Sequence, residues 1–242
     1  MKKLTTMMIK DFKHWTKESY VLLIIGLITQ IFLLLKSPLK ASDFLATMGA
    51  ISGIICVLMI SNKKTSNAIF GILAGLIIIY NAWQHRIFAD ALLQIGYIII
   101  LDIPLLLTWT KHQNPSTGEV TDIKALQGLK DWSKYFGLAA LGTVVFTFVL
   151  STHFIGDTQP FVDALGFAIG ITGGILCVKR NQSQFIFWAL QGLISTVLWF
   201  RASLIAGTGF LSPLAIMYVF YLANDVVGYV NYGRCLKTKE VR

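Results

Sequence analysis

Trp188, Gln191, Ser195 and Trp199 follow one another at spacings of three and four residues, which stacks them along one face of a helix. Tyr218, Tyr221, Asn224, Asp225 and Gly228 make a second row of this kind, Gln94, Tyr97 and Asp102 a shorter third, and Tyr80 and Asn81 a further pair. All lie in stretches otherwise built of Ile, Leu, Val, Phe, Ala and Gly. In hydrocarbon a polar side chain is costly and turns toward the interior of a helix bundle, so such rows mark the path of a polar solute. Each also has a plainer reading. Trp199, Tyr80 and Asn81 fall near expected membrane interfaces, where aromatic belts are usual, and anchoring outranks ligand contact for these three. Gln191 and Asn224 equally suit interhelical hydrogen bonds. Asp225 and Asp102 fit proton or cation sites, or polar steps toward the cytoplasmic surface, and a kink is expected at Pro104.

Other chemistry is poorly supplied. His14, His85, His112 and His153 are scattered, without H-E-x-x-H or any other metal-ligand spacing. There is no Walker A loop and no Gly-x-Ser-x-Gly elbow. No catalytic residue, metal or other cofactor is therefore expected, and the chain does not read as an enzyme. Cys56 and Cys177 fall in apolar stretches and Cys235 follows the last one, with no C-x-x-C and no disulfide framework.

The elements that must carry these residues are membrane helices. Of 242 residues 55% are hydrophobic and 14% charged, and the mean hydropathy is +0.66, a membrane composition. A bilayer core of ~30 Å calls for ~20 apolar residues per helix. The sequence predicts about eight spans, near Tyr20–Leu35, Phe44–Ile60, Ala68–Trp83, Phe88–Trp109, Tyr135–Thr152, Phe161–Val178, Phe185–Phe200 and Phe210–Val230.

The formal charge of +9 sorts by topology and does not point to nucleic acid. With both termini cytoplasmic, only Lys36, Lys40, Arg86 and Arg201 of the 21 basic residues fall outside, as the positive-inside rule requires. Residues 1–19 interleave Lys2, Lys3, Lys10, Lys13 and Lys17 with Met7, Met8, Ile9, Phe12 and Trp15. This suits either a helix on an anionic membrane surface or a basic topogenic flank. A cleavable signal peptide is not expected, since no small-residue cleavage site follows the apolar run.

The chain also repeats itself. Ser52-Gly53-Ile54-Ile55-Cys56-Val57 resembles Gly173-Gly174-Ile175-Leu176-Cys177-Val178, and Ile69-Phe70-Gly71 with Gly75-Leu76-Ile77 resembles Ile186-Phe187-Trp188 with Gly192-Leu193-Ile194. Tyr97 pairs more weakly with Tyr218, and Asp102 with Asn224. Three helices thus occur twice, in residues 42–110 and 160–234, separated by a polar loop and one linker span in 111–159. An odd number of spans per copy plus one linker makes the copies parallel. Residues 20–36 are an extra N-terminal helix and 235–242 a cytoplasmic tail. Glycines such as Gly49, Gly53, Gly166 and Gly170 read as close-packing positions.

The sequence resembles the PnuC family of nicotinamide riboside transporters, through Phe70-Gly71-Ile72, Leu92-Leu93-Gln94, Trp188-Ala189-Leu190-Gln191-Gly192-Leu193-Ile194-Ser195, and Ala223-Asn224 followed by Tyr229. It departs in Gln191, where relatives can carry Asn, and in Asp225 and Tyr229, where others have Gly and Trp. The resemblance implies an all-α, SWEET-like membrane fold with two parallel three-helix bundles around one linker (3+1+3). It also implies a homotrimer in the inner membrane that takes up nicotinamide riboside by facilitated diffusion, trapped by cytoplasmic phosphorylation, with the lipid bilayer and the solute as partners. Trp188 would then face the pyridinium ring, with Gln191, Asn224, Gln94, Ser195, Tyr218, Tyr221, Asp225 and Tyr80 around it. Another vitamin or a sugar on the same fold, or a membrane scaffold that transports nothing, are the alternatives.

Overall fold

Each apolar stretch becomes a helix. The computed structural model describes residues 8–114, 116–153, 160–205, 207 and 212–240. Among them are eight helices long and apolar enough to cross a membrane: α1 (Lys17–Lys36), α2 (Ala41–Ser61), α3 (Asn67–Gln84), α4 (Phe88–His112), α5 (Gly128–His153), α6 (Pro160–Val178), α7 (Gln184–Ile205) and α8 (Pro213–Glu240). The described residues form no strands, only three isolated bridges, and the fold is all-α. Lys2, Lys3, Met7, the expected start of the last span at Phe210, residues 154–159 and the final two residues of the tail lie outside the described residues. Helices α5 and α8 overrun their apolar stretches into Gly128–Lys134 and Asn231–Glu240, since neither segment holds a proline to stop them.

Local chemistry fixes the helix ends. The Thr16 hydroxyl accepts from the Ser19 amide at the start of α1, and Asp43 accepts from the Lys40 amide (2.9 Å) at the start of α2. α4 is interrupted by a π-helical turn over Tyr97–Asp102. The irregularity expected at Pro104 thus sits one turn earlier, where the ladder must loosen to admit a residue without an amide hydrogen.

Helices α2, α3, α4, α6, α7 and α8 pack side by side in that order and close back onto α2, forming a ring. α1 lies outside it against α2 and α8, and α5 lies outside against α6. The two halves of the ring repeat their contacts. A Cβ on Gly49 would strike Ile77, and one on Gly166 would strike Ile194; Gly53 faces Tyr221 and Met217, and Gly170 faces Tyr97 and Leu93. These contacts set Gly53 opposite Gly170 and Tyr97 opposite Tyr221. The first helices therefore correspond one helical turn away from the match of Cys56 with Cys177, and the third helices away from the match of Tyr97 with Tyr218. Apolar stretches rich in Ile and Gly align nearly as well when slipped by a turn, whereas close packing against a glycine does not.

The helix-ending turns repeat too. Lys63 and Arg180 both adopt the left-handed conformation (φ 58° each). The Lys64 amide donates to the Met59 carbonyl and the Asn181 amide to the Leu176 carbonyl, both at 2.9 Å, which satisfies the last carbonyls of α2 and α6. The α4–α5 loop is laced to both turns: the Val120 amide donates to Lys63 (2.8 Å), Lys124 to Arg180 (3.0 Å), and Gln182 to Lys124 (2.8 Å).

The N-terminal segment joins the same face. Asp11 is fully buried and accepts from the Ser66 amide (2.9 Å), the Ser66 hydroxyl (2.7 Å) and the Thr65 hydroxyl (3.3 Å), a cap for α3 supplied from distant sequence. Phe12 and Trp15 pack into the core, while Lys10, Lys13 and Lys17 stay exposed. Phe12 and Trp15 thus dock on protein, whereas Ile9 of the same segment stays exposed. Nearby, Lys63 donates to Cys235 Sγ (2.9 Å) and pairs with Glu119 (3.1 Å). Burial pulls the Lys63 ammonium down, but Cys235 and Glu119 outweigh it and hold it above its ordinary range. For Lys64 burial prevails over Glu119 and Asp11, and its affinity for the proton falls.

Polarity is distributed as a bilayer demands. Ile24, Ile28, Phe32, Leu35, Val144 and Phe148 face outward, while Gln94, Asp90, Asp102, Gln191, Asn224 and Asp225 are buried inside.

Candidate functional site

The ring surrounds a narrow cavity of about 70 Å³. α2 brings Gly53 and Cys56 to it, α3 Gly71, α4 Gln94, Tyr97 and Asp102, α7 Trp188 and Gln191, and α8 Tyr218, Tyr221 and Asp225. Of the nine residues expected from sequence, six thus share one space: Trp188, Gln191, Gln94, Tyr218, Tyr221 and Asp225.

Trp188 is fixed from three sides. Its Nε1 donates to the Gly170 carbonyl at 3.3 Å, Tyr97 and Phe185 meet it edge-on, and Gly173 lies against the indole so closely that a Cβ there would overlap it. That contact is where a glycine is required. One turn on, the Gln191 amide donates to the Ser195 hydroxyl at 2.7 Å, which leaves its carbonyl oxygen as an acceptor. Ser195 itself does not line the cavity but orients Gln191. Asn224 is buried as well but does not line the cavity; among the described residues its Oδ1 and the Asp225 Oδ2 find no hydrogen-bond partner. A buried acceptor without a donor is expensive in the protein alone and strongly favours a ligand that brings one.

Tyr80 is not brought to this place: it is 53% exposed on the outer surface of α3, as an interface anchor would be. Trp199 departs in the other direction. It is 2% exposed and donates its indole hydrogen to Asp90 Oδ2 at 2.6 Å, so interface anchoring does not describe it. Asn81 donates to the Ile77 carbonyl and borders a separate space nearer the ends of α3 and α7.

Asp90 is the residue that sequence reasoning passed over. It is buried in α4, accepts from Trp199 and from the Tyr218 hydroxyl (2.9 and 3.1 Å), and stands four residues before Gln94. The rule that singled out Asp102 and Asp225, a carboxylate inside an apolar span, would have found it. Asp102 lines the cavity, packed against Gly71.

The walls are aromatic and acidic, and no Lys, Arg or His is among the described residues that line them. Aromatic faces beside carboxyl groups, with no basic side chain among them, suit a flat cationic group better than an anion.

A family model described as nicotinamide mononucleotide transporter matches residues 43–234. A protein from Neisseria mucosa described as nicotinamide riboside transporter PnuC is 27% identical over 228 residues, 93% of this chain and 84% of its own length. One from Haemophilus influenzae with the same description is 28% identical over 225 residues, 92% of each. A crystal structure described as that of the vitamin B3 transporter PnuC shares the fold with a TM-score of 0.82 at 24% identity, covering 96% of this chain and 98% of that one.

Proposed function

Given that the chain belongs to the nicotinamide mononucleotide transporter family, we propose that it carries nicotinamide riboside across the inner membrane and that the ring cavity is where the solute rests. The observation that carries this reading is the make-up of the cavity wall, aromatic faces and carboxyl groups with no basic side chain. Asp102 and Asp225 face it together with Trp188, Tyr97, Tyr218 and Tyr221. A pyridinium cation gains from stacking on Trp188, with carboxyl oxygens on the same wall. The mononucleotide adds a phosphate, which needs Arg, Lys or a helix N-terminus, and the lining offers no basic side chain. The riboside is therefore the favoured solute. Gln94, Gln191 and Asn224 supply the acceptors and donors for its carboxamide and ribose hydroxyls.

Two helix triplets, 42–110 and 160–234, joined through the linker α5, rock about the cavity in a 3+1+3 plan. The repeated glycine contacts of α2 and α6 support this division. Movement is facilitated diffusion, made one-way by phosphorylation of the riboside in the cytoplasm. The α2–α3 and α6–α7 turns, the α4–α5 loop and the described ends of the chain gather on one face, and its lysines support a cytoplasmic placement of that face and of both termini. The outward apolar surface of α5 is suited to lipid or to the neighbouring copies of a homotrimer.

Uptake by proteoliposomes tests the reading. Labelled nicotinamide riboside is expected to enter without an imposed ion gradient, and excess mononucleotide is expected to leave the rate unchanged. Entry of the mononucleotide at an equal rate, or no uptake above empty vesicles, would overturn it.

A further inference from the structure

A second space lies in line with the cavity. Near the ends of α1, α3 and α7 and the starts of α2 and α8, a vestibule of about 580 Å³ is lined by Ser42, Asp43, Asn81, His85, Ser203 and Trp199, among others. His85 sits just past α3, and burial lowers its affinity for the proton. This is the face opposite the basic loops.

One polar bridge stands between the two spaces. Trp199 borders the vestibule and Tyr218 borders the cavity. Asp90, 4% exposed, joins them by accepting from Trp199 Nε1 at 2.6 Å and from the Tyr218 hydroxyl at 2.9 and 3.1 Å. The two rings lie nearly parallel, 22° apart with centroids at 6.5 Å, and buried Ala50, Ile78 and Leu214 pack in the same cluster. A carboxylate held by neutral donors is a costly way to brace helices, because an amide would serve with less desolvation. The carboxyl, which Gln94 of its own helix also contacts, has a further use if a cation replaces the donors from α7 and α8.

We propose that Trp199, Asp90 and Tyr218 form the outer gate of the cavity, and that Asp90, freed as the gate parts, is the carboxylate that a cationic solute meets on entry. The cationic half rests on the pyridinium solute argued above; the gate does not. Opening moves α7 and α8 away from α4, breaking two hydrogen bonds that span different helices.

The gate is read by thiol accessibility in intact cells expressing the full chain with Cys177→Ser and Cys235→Ser. Cys56, on the cavity wall, is then the target of a membrane-impermeant cationic methanethiosulfonate, and Ser42→Cys reports the vestibule. Position 42 is expected to react quickly and Cys56 slowly. Tyr218→Phe keeps the ring and loses the donor, Trp199→Phe loses the donor and leaves a smaller ring, and each is expected to speed Cys56 labelling about tenfold, the scale of one hydrogen bond to a charged group. Unchanged labelling in both variants, or Cys56 reacting as fast as position 42 in the parent, would overturn the gate. An unreactive position 42 would overturn its outward placement.

Asp90→Asn is expected to lower uptake of nicotinamide riboside about tenfold relative to its neutral dihydro form. Uptake of the neutral form also reports that the variant folds. Equal loss for both solutes would overturn the cation role. Absence of any uptake by the parent would sink the transport reading while the labelling still decides the gate.

Discussion

Replacing Gly173 by alanine places a methyl carbon 2.5 Å from Trp188 Cδ1 and 2.6 Å from Nε1. Carbon atoms rest ~3.5–4.0 Å apart, so the indole must retreat by about 1 Å. It has little room, because its nitrogen is tied to the Gly170 carbonyl and Tyr97 and Phe185 close on its edges. Overpacking of this kind costs about 1–3 kcal/mol. Part appears as lower stability and part as an indole turned from its place in the cavity wall. A displaced face forfeits a cation–π contact of about 0.5–2 kcal/mol, so affinity for nicotinamide riboside is expected to fall roughly two- to thirty-fold. Titration calorimetry on detergent-purified protein measures the affinity, and a thermal melt on the same sample gives the stability. Gly137→Ala is the control, since a Cβ there meets nothing within 4 Å; affinity should hold and Tm should stay or rise slightly. Parent-like affinity and Tm for Gly173→Ala would show that Trp188 is not wedged as described.

Asn224→Ala is expected to weaken riboside binding by at least about 1 kcal/mol, as loss of a buried acceptor would; calorimetry showing no change would remove Asn224 from the site. Tyr80→Ala, by contrast, should leave affinity within about 0.5 kcal/mol of the parent, and a larger loss would mean that the tyrosine reaches the solute. Asp11→Ala strips the α3 start of its cap and should destabilise the protein by about 0.5–2 kcal/mol, read as a lower Tm with binding retained; an unchanged Tm would argue against the cap.

The spans and the rows of polar residues were legible because hydrocarbon thickness and the cost of buried polarity act on composition directly. Trp188 and Gln191 could be placed on one face from their spacing alone. Trp199 could not: an indole near the end of a span looks the same in sequence whether it faces lipid or a carboxylate on another helix. Its partner Asp90 lies 109 residues away. Tyr80 failed for the mirror reason, since α3 turns it outward. The repeat was visible as a pattern, but its register rests on which side chain fills the space over each glycine, a matter of three-dimensional contact. Asp11 shows the same limit, because nothing local tells an aspartate that it will cap a helix starting at Asn67.

The lacing of Val120 to one helix-ending turn and of Lys124 to the other acts as a short tether. At ~3.3–3.6 Å per residue, four residues reach at most about 14 Å, so while both clasps hold, the two halves cannot part widely at this end. Any large excursion between them has to occur at the far end, like a pair of tongs joined at the handle. Cutting the tether between those residues should then free the handle end before it costs folding.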